Sequence, residues 1–309
     1  MLVLKQHTWL QQLVPVRGSA VHRIWPRLLV VVAFSSAITF VHTSIDGISA
    51  EIGPLPFSLV GVALGIFLGF RNNASYDRFW EGRKLWGELV NLSRSWTRQV
   101  LTMIDRDSAA RPTPRQRQLV LGAAAFVHLV RQHLRDERNV AEVEELARRA
   151  GCESAALARH RPVATLQWLG DRLADAAREG AIDRYHVPAL DYTIGRFTDV
   201  FGGCERIKNT PIPGSYSLLI HRIVALYVFA LPFGLVSSTG IATPAVVLFI
   251  AYAFLGLDAI GGEIEHPFGH DPNDLPLSAL TRNIEIDLRE LVGDTDLPAP
   301  LSPVRGILS

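Results

Sequence analysis

The sequence predicts an all-α membrane protein with four spanning helices and a helical cytoplasmic region set between two membrane hairpins. Three observations carry this. Charge-free apolar runs occupy residues 28–43, 53–70 and 223–257, lengths that approach or exceed the ~20 residues a spanning helix needs. No stretch alternates apolar and polar residues in the manner of a half-buried strand. Charge is also unevenly distributed: the chain is 48% hydrophobic and 20% charged, with a mean hydropathy of +0.19.

A net charge of +1 gives no electrostatic reason to expect a nucleic-acid partner. Cys152 and Cys204 lack metal-type spacing and read as reduced, structural thiols. The first apolar run follows a long basic lead and has no small-residue cleavage site after it, so it reads as a retained membrane helix rather than a signal peptide.

Residues 1–27 form a cytoplasmic N-terminal segment. They carry Lys5, Arg17, Arg23 and Arg27 and no acid, and Pro15, Gly18 and Pro26 argue against one long helix. Residues 28–70 form the first membrane hairpin. Its connection, 44–52, carries only the acids Asp46 and Glu51. The second arm, GPLPFSLVGVALGIFLGF, superimposes two patterns at helical spacing. Gly61, Gly65 and Gly69 recur every four residues, and so do Val62, Ile66 and Phe70 on the adjacent stripe. The glycine stripe suits close helix packing. The bulky stripe suits lipid, core or pore lining; the polar exit Arg71-Asn72-Asn73 favours the last. In an oligomer each position becomes a ring, and apolar rings can gate by dewetting.

Residues 71–215 read as a cytoplasmic helical region. Tyr76, Phe79, Trp80, Trp86, Leu89 and Val90 keep helical spacing, so the second membrane helix is expected to run on as an amphipathic helix until the Arg111-Pro112-Thr113-Pro114 breaker. Further helices are expected over 119–134, 141–150, 165–178 and 191–208. Residues 216–258 form the second hairpin, with helices over 216–236 and 242–258 and a turn at the Pro/Gly/Ser cluster between them. Residues 259–309 are a cytoplasmic tail with an amphipathic stretch over 283–291. Basic residues lie in the lead and the long central region and are missing from loops 44–52 and 237–243, which puts both termini in the cytoplasm. The apolar runs carry no Asp, Glu, Lys or Arg, and His42 lies only at the far end of the first, so the proton or ion relays of many pumps are not expected.

Glu263, Glu265, His266, His270, Asp271 and Asp274 cluster after the last span. Pro267 and Gly269 separate the two histidines and disfavour a helical metal pair. The cluster reads equally as a solvated turn or as an oxygen-rich clasp of the kind calcium favours. No nucleophile–base pair, Gly-rich phosphate loop or Cys/His metal spacing is present, so no enzymatic activity and no cofactor is expected.

Three segments, RNNASYDRFWEGRKLWGELVNLSRSW, CERIKNTPIP and HPFGHDPNDLPLSALTRNIEIDL, together resemble the bestrophin family. The likeness covers nearly the whole chain and is closest to the bacterial members. It implies a homopentameric ion channel in the bacterial inner membrane, multi-pass and in contact with lipid, conducting small inorganic ions without energy coupling. By motif position it implies a neck of three apolar rings at Val62, Ile66 and Phe70, and a second cytoplasmic aperture near Val187 or Pro188. Eukaryotic members conduct chloride and other small anions and open with calcium; a bacterial member that resembles this chain is cation-selective. The calcium clasp of the family is an acidic run, of which only Asp271 and Asp274 match here. A reading from another class is a non-conducting membrane scaffold or sensor that holds partners through its helical cytoplasmic region.

Overall fold

The computed structural model describes residues 1, 20–44 and 53–309. The connection 45–52, with Asp46 and Glu51, and most of the basic lead lie outside the described residues. Ten α-helices follow one another among the described residues: α1 (Ala20–Ser44), α2 (Leu55–Met103), α3 (Pro114–Leu134), α4 (Val140–Ala150), α5 (Glu153–Leu157), α6 (Arg161–Arg178), α7 (Val187–Asn209), α8 (Gly214–Thr239), α9 (Thr243–Ile264) and α10 (Leu277–Leu291). Two isolated β-bridges, Ile104 with Ile182 and Val304 with Ile307, are the only strand-like pairings there.

Several helices run beyond their expected bounds, for local reasons. Pro26 lies inside α1 instead of ending it, so that helix begins ahead of the apolar run. α2 is one unbroken helix of 49 residues and stops at Met103, before the proline-rich breaker. The breaker instead starts α3. Thr113 caps it, with Oγ1 accepting the Gln116 N–H and the Gln116 side chain accepting the Thr113 N–H, and Pro114 occupies the first turn, where its missing N–H costs nothing. α10 begins at Leu277, ahead of the amphipathic stretch read at 283.

The chain divides into two compact units. The first holds the described residues 20–44 and 53–79 together with Pro211–Pro267, hence α1, the first part of α2, α8 and α9. α8 and α9 pack against each other and both pack against α1. Between them lies a single 3-10 turn, Gly240–Ala242. Gly240 takes φ +51°, a conformation that side chains disfavour. Thr243 Oγ1 donates to the Gly240 carbonyl at 2.6 Å and pairs with Thr239 Oγ1 at 2.8 Å, closing the corner. The core joins Ile24 and Val31 of α1, Leu64 and Leu68 of α2, Val224, Val228 and Leu231 of α8, and Val247, Ala251 and Leu255 of α9. Among the described residues, three stretches are long and apolar enough to cross a membrane: Val21–Ser44, Leu55–Met103 and Gly214–Ile264. The turn at Gly240 folds the last of these into a hairpin.

The second unit holds Trp80–Thr210 and Phe268–Ser309. Its axis is α3, buried on every side from Leu119 to Leu134 apart from half-buried His133, as a largely apolar helix must be. α4, α6, α7 and α10 pack around it. Trp86 and Trp96 of α2 are fully buried, and Trp96 Nε1 donates to the Leu119 carbonyl at 3.2 Å. The buried polar side chains of α3 each reach at least one partner, although His128 Nδ1 and Arg131 Nε make no hydrogen bond. His128 Nε2 lies 3.0 Å from Glu285 of α10, and its Nδ1 stands 3.7 Å from Glu142 of α4, an ion-pair distance. Burial works against an imidazolium there, but the two carboxylates outweigh it and raise the His128 pKa. Asp294 collects Arg117, Arg149 and Arg289. Cys152 and Cys204 are buried free thiols, and burial pushes each up to about 12.

Candidate pore-lining helix and its anchor

The first part of α2 has no charged residue until Arg71, and only one narrow stripe of it is covered by its own unit. Leu64, Leu68, Arg71 and Ser75 are buried, with Phe57 and Gly61 partly covered on the same line. This spacing of three and four is the seam of a helix that touches its neighbours along one side. The remaining surface is apolar and bare. Val62 is 66% exposed, Ile66 53% and Phe70 63%.

The glycine stripe splits into two roles. A Cβ at Gly61 would stand 2.5 Å from Tyr227 Oη, so Gly61 is where α2 and α8 close on each other. Nothing lies within 4 Å of a Cβ at Gly65 or at Gly69. Their bare backbone faces open space within the chain. A further close approach is at Gly234, where a Cβ would run into the Phe57 ring.

At the end of the apolar stretch the sequence reading of an open basic exit meets a different arrangement. Arg71 is 3% exposed and turns inward. Its guanidinium pairs with Asp258 of α9 at 2.5 Å and stands 3.8 Å from Glu265. Asp258 is 2% exposed and is also held by His221 of α8, whose Nδ1 lies 2.7 Å away. Asn72 is half-buried and donates to the Leu257 carbonyl at 3.2 Å. Gly261 lets this happen, since a Cβ there would collide with Asn72 and stand 4.0 Å from the Arg71 guanidinium carbon. Only Asn73 of the three faces outward. The expectation of spans without ionisable neighbours is therefore corrected at this point: α2, α8 and α9 are tied by a buried charge cluster. Sequence reasoning missed Asp258 and His221. The one available signal was an isolated acid closing a long charge-free run.

Helical periodicity carries the outward stripe on. Val62, Ile66 and Phe70 are followed on the same face by Asn73 and Asp77, both exposed. As far as Asp77 the stripe thus passes from apolar to polar to acidic, and the next exposed ionisable residue on the same face is Lys84.

The other expected site residues sit apart. Val187 is the first residue of α7 and half-buried, and Pro188 beside it is exposed. The acidic segment after α9 falls across the division between units. Glu263 and Glu265 belong to the first unit and are buried. In the second unit, Asp274 is buried and its Oδ2 accepts the Asp271 N–H at 2.8 Å, so the pair shapes a turn.

The model of the bacterial and fungal bestrophin family matches residues 1–290. The chain belongs to the bestrophin family. Relatives of this bestrophin include a voltage-dependent anion channel-forming protein of Ralstonia nicotianae, 43% identical over 96% of each chain. The protein of the same description from Escherichia coli K12 is 37% identical over 99% of this bestrophin and 98% of its own length. Among solved structures, a bacterial bestrophin homologue from Klebsiella pneumoniae superposes with a TM-score of 0.81 at 32% identity, covering 88% of this chain and 99% of that one. The all-helical bestrophin fold and the apolar helices identify a membrane protein.

Proposed function

We propose that this bestrophin is a passive, homopentameric channel for small monovalent ions in the bacterial plasma membrane. Val62, Ile66 and Phe70 of each copy line an apolar neck. The observation that carries this reading is the uncovered stripe of α2. A charge-free helix with one seam packed and its other faces bare requires lipid or other copies of the chain to cover them, and Gly65 and Gly69 offer the close approach that copies need. The chain crosses the membrane four times, with α1, the first part of α2, α8 and α9. The second unit and both termini lie in the cytoplasm. Asn72 and Asn73 form the polar exit of the neck, and Val187 and Pro188 border a second aperture. Arg71 serves as an anchor, not as part of the ion path.

The descriptions of its relatives favour anions as the permeant species. One specific observation favours cations instead: Arg71 is neutralised inside the subunit, while Asp77 continues the lining face with its carboxylate exposed. Apolar rings set a barrier but have no fixed charge with which to choose a sign. Reversal potentials of the reconstituted channel in asymmetric potassium chloride decide between them. A reversal at the chloride equilibrium potential supports the anion reading and one at the potassium potential supports the cation reading. No ion flux at all, from correctly folded oligomers, contradicts the channel and favours a scaffold.

A further inference from the structure

A cluster in the second unit, remote in sequence from the candidate neck residues, has the composition and spacing of a metal centre. His133 comes from the last turn of α3, His160 from the residue preceding α6, and Glu205 from α7. His133 Nε2 lies 2.9 Å from Glu205 Oε1, and His160 Nε2 lies 3.3 Å from that same oxygen. All three donor groups fall within 4.8 Å of one another. With metal–ligand bonds of about 2.1 Å, donors at the corners of a tetrahedron stand roughly 3.4 Å apart. The observed separations are near that edge length.

The rings are set, not loose. Their centroids are 5.0 Å apart at a tilt of 30°. Phe201, one turn before Glu205, meets both rings edge-on at 5.4 and 5.8 Å. Lys208 Nζ donates to the His133 carbonyl at 2.6 Å and fixes the backbone that carries the ligand. The two histidines also line an open cleft of about 460 Å³. Arg161 in that cleft is already engaged by Gln132 Oε1 and the Glu137 carbonyl, both at 2.7 Å. The open side leaves room for water at a fourth position.

We propose that His133, His160 and Glu205 bind a zinc-class divalent cation, with water completing the tetrahedron. Two imidazoles with one carboxylate suit zinc, cobalt or nickel rather than the all-oxygen preference of calcium and magnesium. The ion clasps α3, α6 and α7 together. The alternative for the same atoms is a carboxylate oxygen that accepts two imidazole N–H groups and holds no ion.

The test uses the full-length protein without a histidine tag, purified in detergent, stripped with chelator and titrated with zinc chloride by calorimetry. The expected result is one zinc per chain with a dissociation constant on the order of micromolar or tighter, and a zinc-dependent rise in melting temperature. Glu205→Gln and His160→Gln should each weaken binding about tenfold or more and abolish that rise. His160 is nearly half exposed, so its variant keeps the test alive if Glu205→Gln folds poorly. Cobalt substitution should give the intense visible bands of a tetrahedral site in the parent protein alone. The proposal is overturned if zinc is not taken up stoichiometrically, or if uptake is unchanged in both variants.

Discussion

Arg71 shows how one side chain can change its role between sequence and structure. At the end of an apolar helix it reads as an exit charge. Buried against Asp258, it becomes the pin that sets where α2 stands against α8 and α9. Taking two charges out of water is costly, and their attraction offsets that cost only while both remain. Asp258→Asn should therefore lower stability by about 3 kcal/mol, within the range found when one partner of a buried pair is removed. The double variant Arg71→Met with Asp258→Leu should recover most of the loss. Thermal unfolding in detergent measures both, and equal stability of the single variant and the parent would refute the anchoring role. The pair escaped the sequence reading because its members are 187 residues apart. No periodicity links them, and only folding brings them together. Val62, Ile66 and Phe70 were legible because their signal is local: an uninterrupted apolar helix with a repeat of four.

At the level of elements, the helices were legible wherever burial imposes a period, and their ends were less so. Proline was the main source of error. Pro26 reads as a boundary but lies within α1, and Pro114 reads as a breaker but starts α3. Inside a helix a proline loses one hydrogen bond and crowds the carbonyl four residues back; in a first turn, as at Pro114, there is no such bond to lose. The division of α2 between two units was not readable, because a continuous helix carries no sequence mark where its neighbours change. Its glycines make a prediction that separates packing within the chain from packing between chains. Gly61→Ala should destabilise the isolated subunit, since the added carbon meets Tyr227 Oη. Gly65→Ala and Gly69→Ala meet nothing within the chain and should leave its fold intact while weakening association of copies. Native mass spectrometry reads the assembly and thermal unfolding reads the fold. If Gly65→Ala and Gly69→Ala leave the oligomer unaffected, the stripe does not face a second copy.

At the scale of the whole molecule, α2 belongs partly to each unit, and its apolar part has most of its surface bare. The proposed pentameric channel would account for that imbalance: copies of the chain would cover part of α2, lipid would cover the outer helices, and the remaining stripe would face the conduction path. Arg71 is buried against Asp258, so in the proposed channel the neck would be a barrier of apolar side chains alone. The height of such a barrier depends on how narrow and how dry the ring is. Single-channel conductance in planar bilayers, compared between the parent protein and the variant with Val62, Ile66 and Phe70 all changed to Ala, tests this most directly. The account predicts a severalfold larger conductance in the variant at unchanged oligomeric state; an unaltered conductance from intact pentamers would contradict the neck and the pore built on it.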